Sequence, residues 1–353
     1  MKKILFSVLA LSSVLGFQSC SEDFEVSAPY KPVTVVYGIL DMKDTAHYIR
    51  IQKTFLDESK NAFDMAKVSD SNFYKEGDLD VMIKEMSGNA VVGQPMLLQR
   101  VNMENEGYVK DSGVFFRTPN YAYKFKKLLK SSLTYRLVIN NRATNTVDSA
   151  DIQLVDTATL TVLGATQNKR INFASTDPTK SGSTFSFYVN AGNAYYLEAA
   201  IRFHWVEKVP NSADPGVRDS ASFVFTRLSS IDDIKEGRLE VDNSKIIAFL
   251  QSAMGAAPQG IARYMDSCEI VVYGAGKEYS DYINTLQIQS SGLTADQIKP
   301  LYTNIRGKDV FGLFSSKTTR VLRNAYIDDE TLNMLNGSEN TRSLNIQKQR
   351  ADP

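Results

Sequence analysis

The stretch 33–55, VTVVYGILDMKDTAHYIRIQKTF, decides the fold class. Its first part, Val33–Leu40, is a continuous run rich in β-branched side chains, and Asp41–Asp44 supplies the polar residues of a turn. Tyr48–Phe55 then repeats the strand-like composition. Two such runs joined by a short polar turn are typical of an antiparallel hairpin. The stretch therefore predicts that the folded part of the chain begins with two paired strands.

Further strand-like segments follow this hairpin. In Leu79–Met86 and Thr134–Ile139, apolar residues occupy alternate positions. Val114–Phe116 and Tyr121–Phe125 are short and rich in aromatic residues. Six or seven short strands within about 120 residues, separated by polar turns, are typical of a β-sandwich. Residues 33–145 are therefore predicted to form an immunoglobulin-like β-sandwich domain.

The second half of the chain predicts another antiparallel β domain, over residues 146–347. Between 197 and 205 the apolar residues alternate with polar ones, as expected of a strand with one buried face. Helical spacing recurs near 242–255, 277–286 and 328–337, so two or three helices are expected. The predicted fold class is mainly β, with the sandwich first and the helix-bearing β domain second.

The N-terminus has the pattern of a lipoprotein signal peptide over residues 1–19. Lys2 and Lys3 precede an apolar run, and a small residue, Ser19, stands directly before Cys20. The run is shorter than the roughly 20 residues of a spanning helix. Cys20 is therefore expected to carry the lipid, a diacylglycerol with palmitate, and to tether the protein to a membrane surface. An uncleaved anchor helix is the alternative.

Residues 20–32 are predicted to be an acidic tether, and 348–353 a loose C-terminal tail. The tether contains a short polar and acidic group: Ser21, Glu22, Asp23 and Glu25. This group resembles the export signal by which Bacteroidota lipoproteins reach the outer face of the outer membrane. A solvated linker without such a role is the alternative.

The charge balance excludes several classes of partner. The precursor has 40 basic and 40 acidic residues, so removal of Lys2 and Lys3 leaves 38 against 40. Without a basic excess, neither nucleic acid nor an anionic lipid surface is an expected partner. Of the two cysteines, Cys268 has no intramolecular partner once Cys20 is lipidated. It lies in a strand-like run and is predicted to be a buried, inert thiol.

No catalytic or metal-binding motif is present, so the chain is predicted not to be an enzyme and to have no cofactor. The two histidines, His47 and His204, lie far apart in the sequence, each in or beside a predicted strand, and are expected to face solvent or to be hydrogen-bonded. The acidic clusters Asp232–Asp233 and Asp328–Glu330 lack the ligand spacing of a calcium-binding loop. A glycoside hydrolase with two distant carboxylates remains an alternative, although no specific pair is indicated.

Aromatic side chains are the remaining candidates for binding, and the ligand itself is not indicated. They are concentrated in two strand regions: Tyr121, Tyr123 and Phe125 in the first half, and Tyr195, Tyr196, Phe203 and Trp205 in the second. Exposed rings of this kind stack on sugars or form protein interfaces. Core packing is the alternative for each of them, and Trp205 continues an apolar strand face.

Four segments carry a family resemblance. They are the strands Val35–Leu40 and Tyr48–Thr54, the helix start Lys277–Tyr282 with its paired tyrosines, and the glycine-containing motif Tyr302–Phe314. In these segments the chain resembles the Bacteroidota lipoproteins of the domain-of-unknown-function family 4249. The family more often has a second glycine where Lys308 stands. Such proteins are often encoded beside TonB-dependent outer-membrane transporters, which implies a partner but no activity.

The resulting hypothesis is a non-enzymatic binding or accessory lipoprotein. It would be anchored through Cys20 in the outer membrane, face the cell surface and work with a TonB-dependent transporter. The alternative is an adhesin or a structural subunit of a surface assembly, which predicts exposed strand edges and self-association.

The glycine-containing motif Tyr302–Phe314 is predicted to have a structural role and not a ligand-binding one. Its apolar members are Ile305, Val310, Phe311 and Phe314, and they are expected to pack into the core of the second domain. Gly307 and Gly312 are expected to permit tight turns or close backbone approach.

Overall fold

The computed structural model describes residues 32–55, 60–156, 161–163, 170–177, 179, 182–190, 192–229, 236–290 and 302–347. The predicted lipidation site Cys20, the acidic tether, the Asp232–Asp233 cluster and the 348–353 tail lie outside these residues. Among the described helices, none combines the length and the apolar character required to cross a membrane.

The described residues of the first half form eight strands and two short helices. The strands are β1 (Thr34–Asp41), β2 (Ala46–Lys53), β3 (Leu79–Ser87), β4 (Ala90–Leu97), β5 (Gln99–Asn102), β6 (Tyr121–Lys126), β7 (Thr134–Asn141) and β8 (Thr146–Gln153). The helices are α1 (Ala62–Ala66) and α2 (Ser69–Asn72), and a 3-10 turn covers Met103–Glu106.

In the second half, the residues that the structure describes form nine further strands and three longer helices. The strands are β9 (Thr161–Leu163), β10 (Arg170–Ile171), β11 (Thr184–Asn190), β12 (Tyr196–Lys208), β13 (Val217–Ser229), β14 (Glu236–Asp242), β15 (Ala262–Ala275), β16 (Val310–Ile327) and β17 (Ile346–Gln347). The helices are α3 (Asn243–Met254), α4 (Lys277–Ser290) and α5 (Asp329–Gly337), and a 3-10 turn covers Arg342–Leu344.

The first eight strands form an immunoglobulin-like sandwich. One sheet contains the order β1-β2-β6-β5 and the other the order β4-β3-β7-β8, which correspond to the ABED and C′CFG sheets of that fold. Tyr135, near the start of β7, accepts a hydrogen bond from the Lys130 backbone amide at 2.7 Å, as in the tyrosine corner of immunoglobulin domains. Both sheets contribute to one core, so the predicted fold class with its N-terminal sandwich is confirmed.

One long strand, β16, connects this sandwich to the rest of the protein. Its first part, Val310–Lys317, pairs in parallel with β1, and its second part, Lys317–Ala325, pairs antiparallel with β15. The resulting large sheet has the order β13-β12-β15-β16-β1-β2-β6-β5, with β10 beside β16 and β17 beside β15. Sheet pairing thus crosses residue 145, because β8 pairs with β7 and β16 pairs with β1. The domain boundary at 145 stays a prediction.

A second core lies on the inner face of β12, β15 and the C-terminal part of β16. Its other side is formed by the small sheet β14-β11-β9 together with residues of α3 and α5. The predicted alternation along β12 is confirmed, because one face lies in this core: Leu197, Ala199, Ile201, Phe203 and Trp205. Cys268 is also fully buried here, and burial raises the pKa of its thiol, as expected of an inert cysteine.

The helix ends confirm the boundaries that the sequence indicates. Helix α3 is followed by Gly255, which has a φ of 59°, a backbone conformation that glycine adopts without steric cost. At α5, the Asp328 carboxylate accepts a hydrogen bond from the Thr331 amide at 2.9 Å, so Asp328 caps the helix, as the sequence indicates. The predicted strand at Val114–Phe116 is wrong, because these residues form no strand and Phe116 instead packs against Phe73.

The motif 302–314 ties β8 to β16. The Asn304 side chain accepts from the Phe314 amide at 2.9 Å and donates to the Phe314 carbonyl at 2.6 Å. The Arg306 backbone pairs with Ser149 of β8 through bonds of 2.8 and 2.7 Å. A Cβ at Gly307 would overlap a carboxylate oxygen of Asp148, which confirms the predicted close backbone approach. The segment therefore has the structural role that its composition indicates.

The predicted docking of this motif into the second core is wrong in two respects. Ile305, Val310 and Phe314 are buried, but they belong to the sandwich core. Phe311 is 36% exposed because it lies opposite Val35 in the parallel pairing with β1, on the outer face of the large sheet. Side chains alternate between the faces of a strand, so the preceding residue Val310 points into the core and Phe311 does not.

Candidate functional site

Helix α4 lies on the outer face of the large sheet. It begins directly after β15, where the Gly276 amide donates to the Ser316 carbonyl at 2.9 Å. The Ser280 hydroxyl then donates to the Tyr195 carbonyl at 3.1 Å. Leu313 and Ser315 of β16 are buried although they share the outer face with Phe311, and the Ser315 hydroxyl donates to Glu278 of the helix. The helix therefore covers the middle of an otherwise open sheet face.

Two adjoining cavities follow the side of this helix, and we call them together the α4 groove. The first has a volume of about 270 Å³ and crosses from β12 over β15 and β16 to β1. The second has a volume of about 390 Å³ and continues along the helix to β13. They share Tyr196, Glu198 and Tyr279. The rest of the lining includes Ile39, Tyr273, Lys317, Arg227, Ile283 and Leu286.

A carboxylate with two donors lies where the cavities meet. The Tyr196 hydroxyl donates to Oε2 of Glu198 at 2.9 Å, and Nε of Arg227 donates to the same oxygen at 2.8 Å. Among the described residues, no hydrogen bond reaches the other carboxylate oxygen, Oε1. The Glu198 side chain is 21% exposed and that of Arg227 is 62% exposed, so a ligand in the groove can reach both.

Tyr196 and Tyr279 of the groove both have a raised pKa and are neutral at physiological pH. Burial raises the pKa of Tyr196, and the hydrogen bond to Glu198 raises it further. Burial also raises the pKa of Tyr279, whose ring contacts that of Tyr196 edge-on with centroids 5.2 Å apart. The bond to Glu198 raises the pKa of Arg227, which keeps the guanidinium charged. The groove thus combines ring surfaces with one fixed carboxylate–guanidinium pair, an arrangement suited to binding.

Further aromatic residues continue beyond the groove toward the sandwich. Tyr282 of α4 contacts Tyr302 with ring centroids 6.1 Å apart. Tyr37 and Ile39 of β1 are large side chains on the outer face and are 47% and 38% exposed. Burial and the neighbouring Tyr282 raise the pKa of Tyr37. The helix with paired tyrosines therefore lies at the centre of an aromatic surface.

The sequence indicates several aromatic residues as candidates for binding, and only some of them lie at this site. Tyr196 lines the groove, whereas Tyr123, Phe125, Phe203 and Trp205 belong to the two cores. Tyr121 packs against Phe73 and under the Arg100 guanidinium. Sequence reasoning missed Glu198 and Arg227. Both occupy polar positions of amphipathic strands, and only the register, which places them directly opposite each other, brings them together.

The two histidines lie in different surroundings. His47 is buried, its Nε2 lies 2.9 Å from the Lys127 carbonyl and its ring stacks on Phe125, so the hydrogen-bonded state is confirmed. His204 lies on the outer face of β12, with Nε2 3.8 Å from the Glu269 carboxylate. Within the described residues, no group of three or more histidine, cysteine or acidic side chains is placed to hold a metal ion.

A buried acid lies apart from the groove, beneath the motif 302–314. Asp148 is 1% exposed, and among the described residues neither carboxylate oxygen has a hydrogen-bond partner of normal geometry. Burial raises the pKa of Asp148 to about 6; Asp309 adds to this rise, and the nearby Lys308 amide opposes it. A buried carboxyl without partners binds its proton more tightly than an exposed one. The folded state is therefore more stable when Asp148 is protonated.

This burial predicts a pH-dependent stability that Asp148→Asn removes. The contribution of Asp148 is present in full below pH 3.8, the ordinary pKa, and is lost as the pH rises through about 6. We expect the unfolding free energy of wild type, relative to Asp148→Asn, to fall by about 2 kcal/mol between pH 4.5 and 7.5. Urea unfolding at the two pH values measures it, with the exposed Asp44→Asn as control. Parallel pH profiles for wild type and Asp148→Asn would contradict the assignment.

Together these features define a class of protein. It is a mainly β protein in which an immunoglobulin-like sandwich and a second β layer share one long strand, β16. The α4 groove, rich in tyrosine, follows the side of the helix on the outer face of the large sheet. Residues 21–323 match the family described as "Domain of unknown function (DUF4249)", and the chain belongs to this family. No curated protein matches the chain.

Two solved structures show weak similarity. "Crystal structure of CBD12 from CALX1.2" has 9% sequence identity and a TM-score of 0.18, and the match covers 82% of this chain and 99% of that one. "Crystal structure of calcium binding domain CBD12 of CALX1.1" has 9% identity and a TM-score of 0.17, with 80% and 98% covered. At TM-scores this low, neither similarity bears on the function of this chain.

Proposed function

We propose that this protein is a non-enzymatic lipoprotein on the surface of a Bacteroidota outer membrane. It is anchored through Cys20, exported with the aid of Ser21, Glu22, Asp23 and Glu25, and binds a ligand in the α4 groove as an accessory of a TonB-dependent transporter. The membrane is reached through the lipid, and no nucleic acid, cofactor or metal is involved.

The observation that carries this proposal is the α4 groove. Its cavities of about 270 and 390 Å³ are in the size range of small-ligand sites. Tyrosine rings and aliphatic side chains line it, and a few polar groups converge at its centre, as in binding sites generally. The exposed Tyr37 lies on β1, the strand that also contributes Ile39 to the groove lining, and exposed aromatic surface of this kind suits contact with a partner protein.

The second candidate, an adhesin or structural subunit, is favoured by one feature. Strand β13 is an edge of the large sheet and is 13 residues long, and long edge strands can pair with another chain. However, Arg218 and Asp219 lie on this strand, and Arg218 pairs with Asp266. Charged side chains on an edge oppose strand addition, so the binding function ranks first.

Affinity purification of the tagged lipoprotein tests the proposed function. The full-length protein is expressed in its native host, the outer membrane is solubilised in mild detergent, and co-purifying proteins are identified by mass spectrometry. We expect a TonB-dependent transporter in stoichiometric amount. Self-association without a transporter would instead support the structural subunit, and recovery of the lipoprotein alone would contradict both.

Cys20→Ala is the matched control for the anchor. We expect this variant to lose incorporation of an alkyne fatty acid in labelled cells, because Cys20 is the proposed acceptor, and to lose the transporter from the pull-down. Equal labelling of variant and wild type would refute the lipid anchor independently of the partner.

A further inference from the structure

We propose that the α4 groove takes a neutral carbohydrate, a polyhydroxylated ring of one or two sugar units. The inference rests on the proposed function, because it names the class of ligand for that groove. Three features of the groove support it: the polar centre at Glu198, the aromatic rings beside it and the volumes of the two cavities.

The charges at the centre favour a neutral ligand with hydroxyl groups. Glu198 and Arg227 already neutralise each other through a 2.8 Å bond. An ionic ligand would have to compete with this bond for one of the two charges. A hydroxyl group both donates and accepts, so neighbouring hydroxyls of one sugar can contact Oε1 of Glu198 and the exposed guanidinium of Arg227 while the pair stays intact.

The pair is held in a fixed position before a ligand arrives. Tyr196 donates to Glu198 from the same strand, and Arg227 lies directly opposite Glu198 on the neighbouring strand. Because two donors on two paired strands hold the carboxylate, little side-chain freedom remains to be lost on binding. Carboxylates and guanidinium groups form stronger hydrogen bonds than neutral groups, which compensates for the dehydration of sugar hydroxyls.

The walls of the groove supply the apolar contacts that a sugar ring requires. Tyr279 of α4 and Tyr273 of β15 both line the first cavity, and Ile283 of α4 lines the second. Both tyrosines are half-buried, so part of each ring remains accessible to a C–H face of a pyranose. The cavities of about 270 and 390 Å³ adjoin at Glu198, so the groove offers space for one sugar ring in each of them.

The test measures binding of maltose, cellobiose, lactose and mannobiose to the full-length lipoprotein in detergent, by saturation-transfer NMR and calorimetry. We expect at least one disaccharide to bind and Glu198→Gln to weaken its binding at least about tenfold, because a charged acceptor becomes a neutral amide. The control is Glu240→Gln, since Glu240 is in another exposed Glu–Arg pair, with Arg238, outside the groove. Thermal melting checks that both variants fold.

Each alternative outcome overturns the inference. Absence of binding by all four sugars, or equal loss of binding in Glu198→Gln and Glu240→Gln, would contradict a carbohydrate site at this position. Binding of the zwitterionic dipeptide Ala-Ala that Glu198→Gln abolishes, without sugar binding, would assign the groove to peptides. The transporter pull-down stays independent of this result, so failure of the sugar assignment is distinguishable from failure of the proposed function.

Discussion

Phe314→Ala is expected to lower the free energy of unfolding by about 3–5 kcal/mol, as for the loss of a large buried aromatic side chain. Phe314 is 0% exposed and packs in the sandwich core. A Cβ at Gly38 of β1 would lie only 3.0 Å from its ring, so the ring fills the space above this glycine. Removing the ring leaves a cavity between β16 and the sandwich. Urea unfolding of the purified protein measures the loss.

Phe311→Ala is the matched control, because Phe311 is the same residue type in the same motif. It is 36% exposed on the outer face, and its truncation leaves no internal cavity. We expect it to cost less than half as much as Phe314→Ala. Equal costs for the two variants would show that Phe311 is buried after all, and that the pairing of β16 with β1 differs from the register described above.

Local sequence patterns were sufficient for the parts of the fold that depend on neighbouring residues. The hairpin β1–β2 follows from two β-rich runs around a polar turn, and the face of β12 in the second core follows from apolar residues at alternate positions from Leu197 to Trp205. The end of α3 at Gly255 and the cap of α5 at Asp328 follow from residue preferences at helix ends. In each case the relevant residues lie within one element or directly beside it in the sequence.

The features that were predicted wrongly, or not predicted, depend on contacts between distant parts of the chain. Strand β4 was missed because its residues are almost all exposed, so no apolar alternation marks it. The face that Phe311 occupies depends on the parallel pairing of β16 with β1, and a shift of one residue would reverse every side chain. No local pattern in either strand specifies a partner so far away in the sequence.

The α4 groove illustrates the same limit for the site. Arg227, Glu198 and Tyr273 lie side by side because β13, β12 and β15 pair in a particular register. In the sequence they are isolated polar or aromatic residues within amphipathic strands. The paired tyrosines of α4 were recognisable as a family-like motif, whereas the surface they face became visible only with the sheet. Site prediction from sequence therefore found the helix and missed its polar counterpart.

Gly312→Ala is expected to lower the free energy of unfolding by more than about 3 kcal/mol, through backbone strain combined with steric overlap. Gly312 has a φ of 136°, a conformation that residues with a side chain rarely adopt. A Cβ there would overlap the Val36 carbonyl oxygen and lie 2.7 Å from the Val36 amide nitrogen. Both obstacles are backbone atoms of β1, which cannot rotate away as a side chain could.

The expected consequence is local separation of β16 from β1, the pairing that joins the sandwich to the second β layer. Gly113→Ala is the matched control, because Gly113 has no such φ and no atom within 4 Å of its Cβ position, and its cost should stay within about 0.5 kcal/mol. Hydrogen exchange should show faster exchange of β1 and β16 amides in Gly312→Ala than in either wild type or the control. If Gly312→Ala melts together with Gly113→Ala, the close parallel pairing at Val36 is not present in solution, and the two halves must be joined in another way.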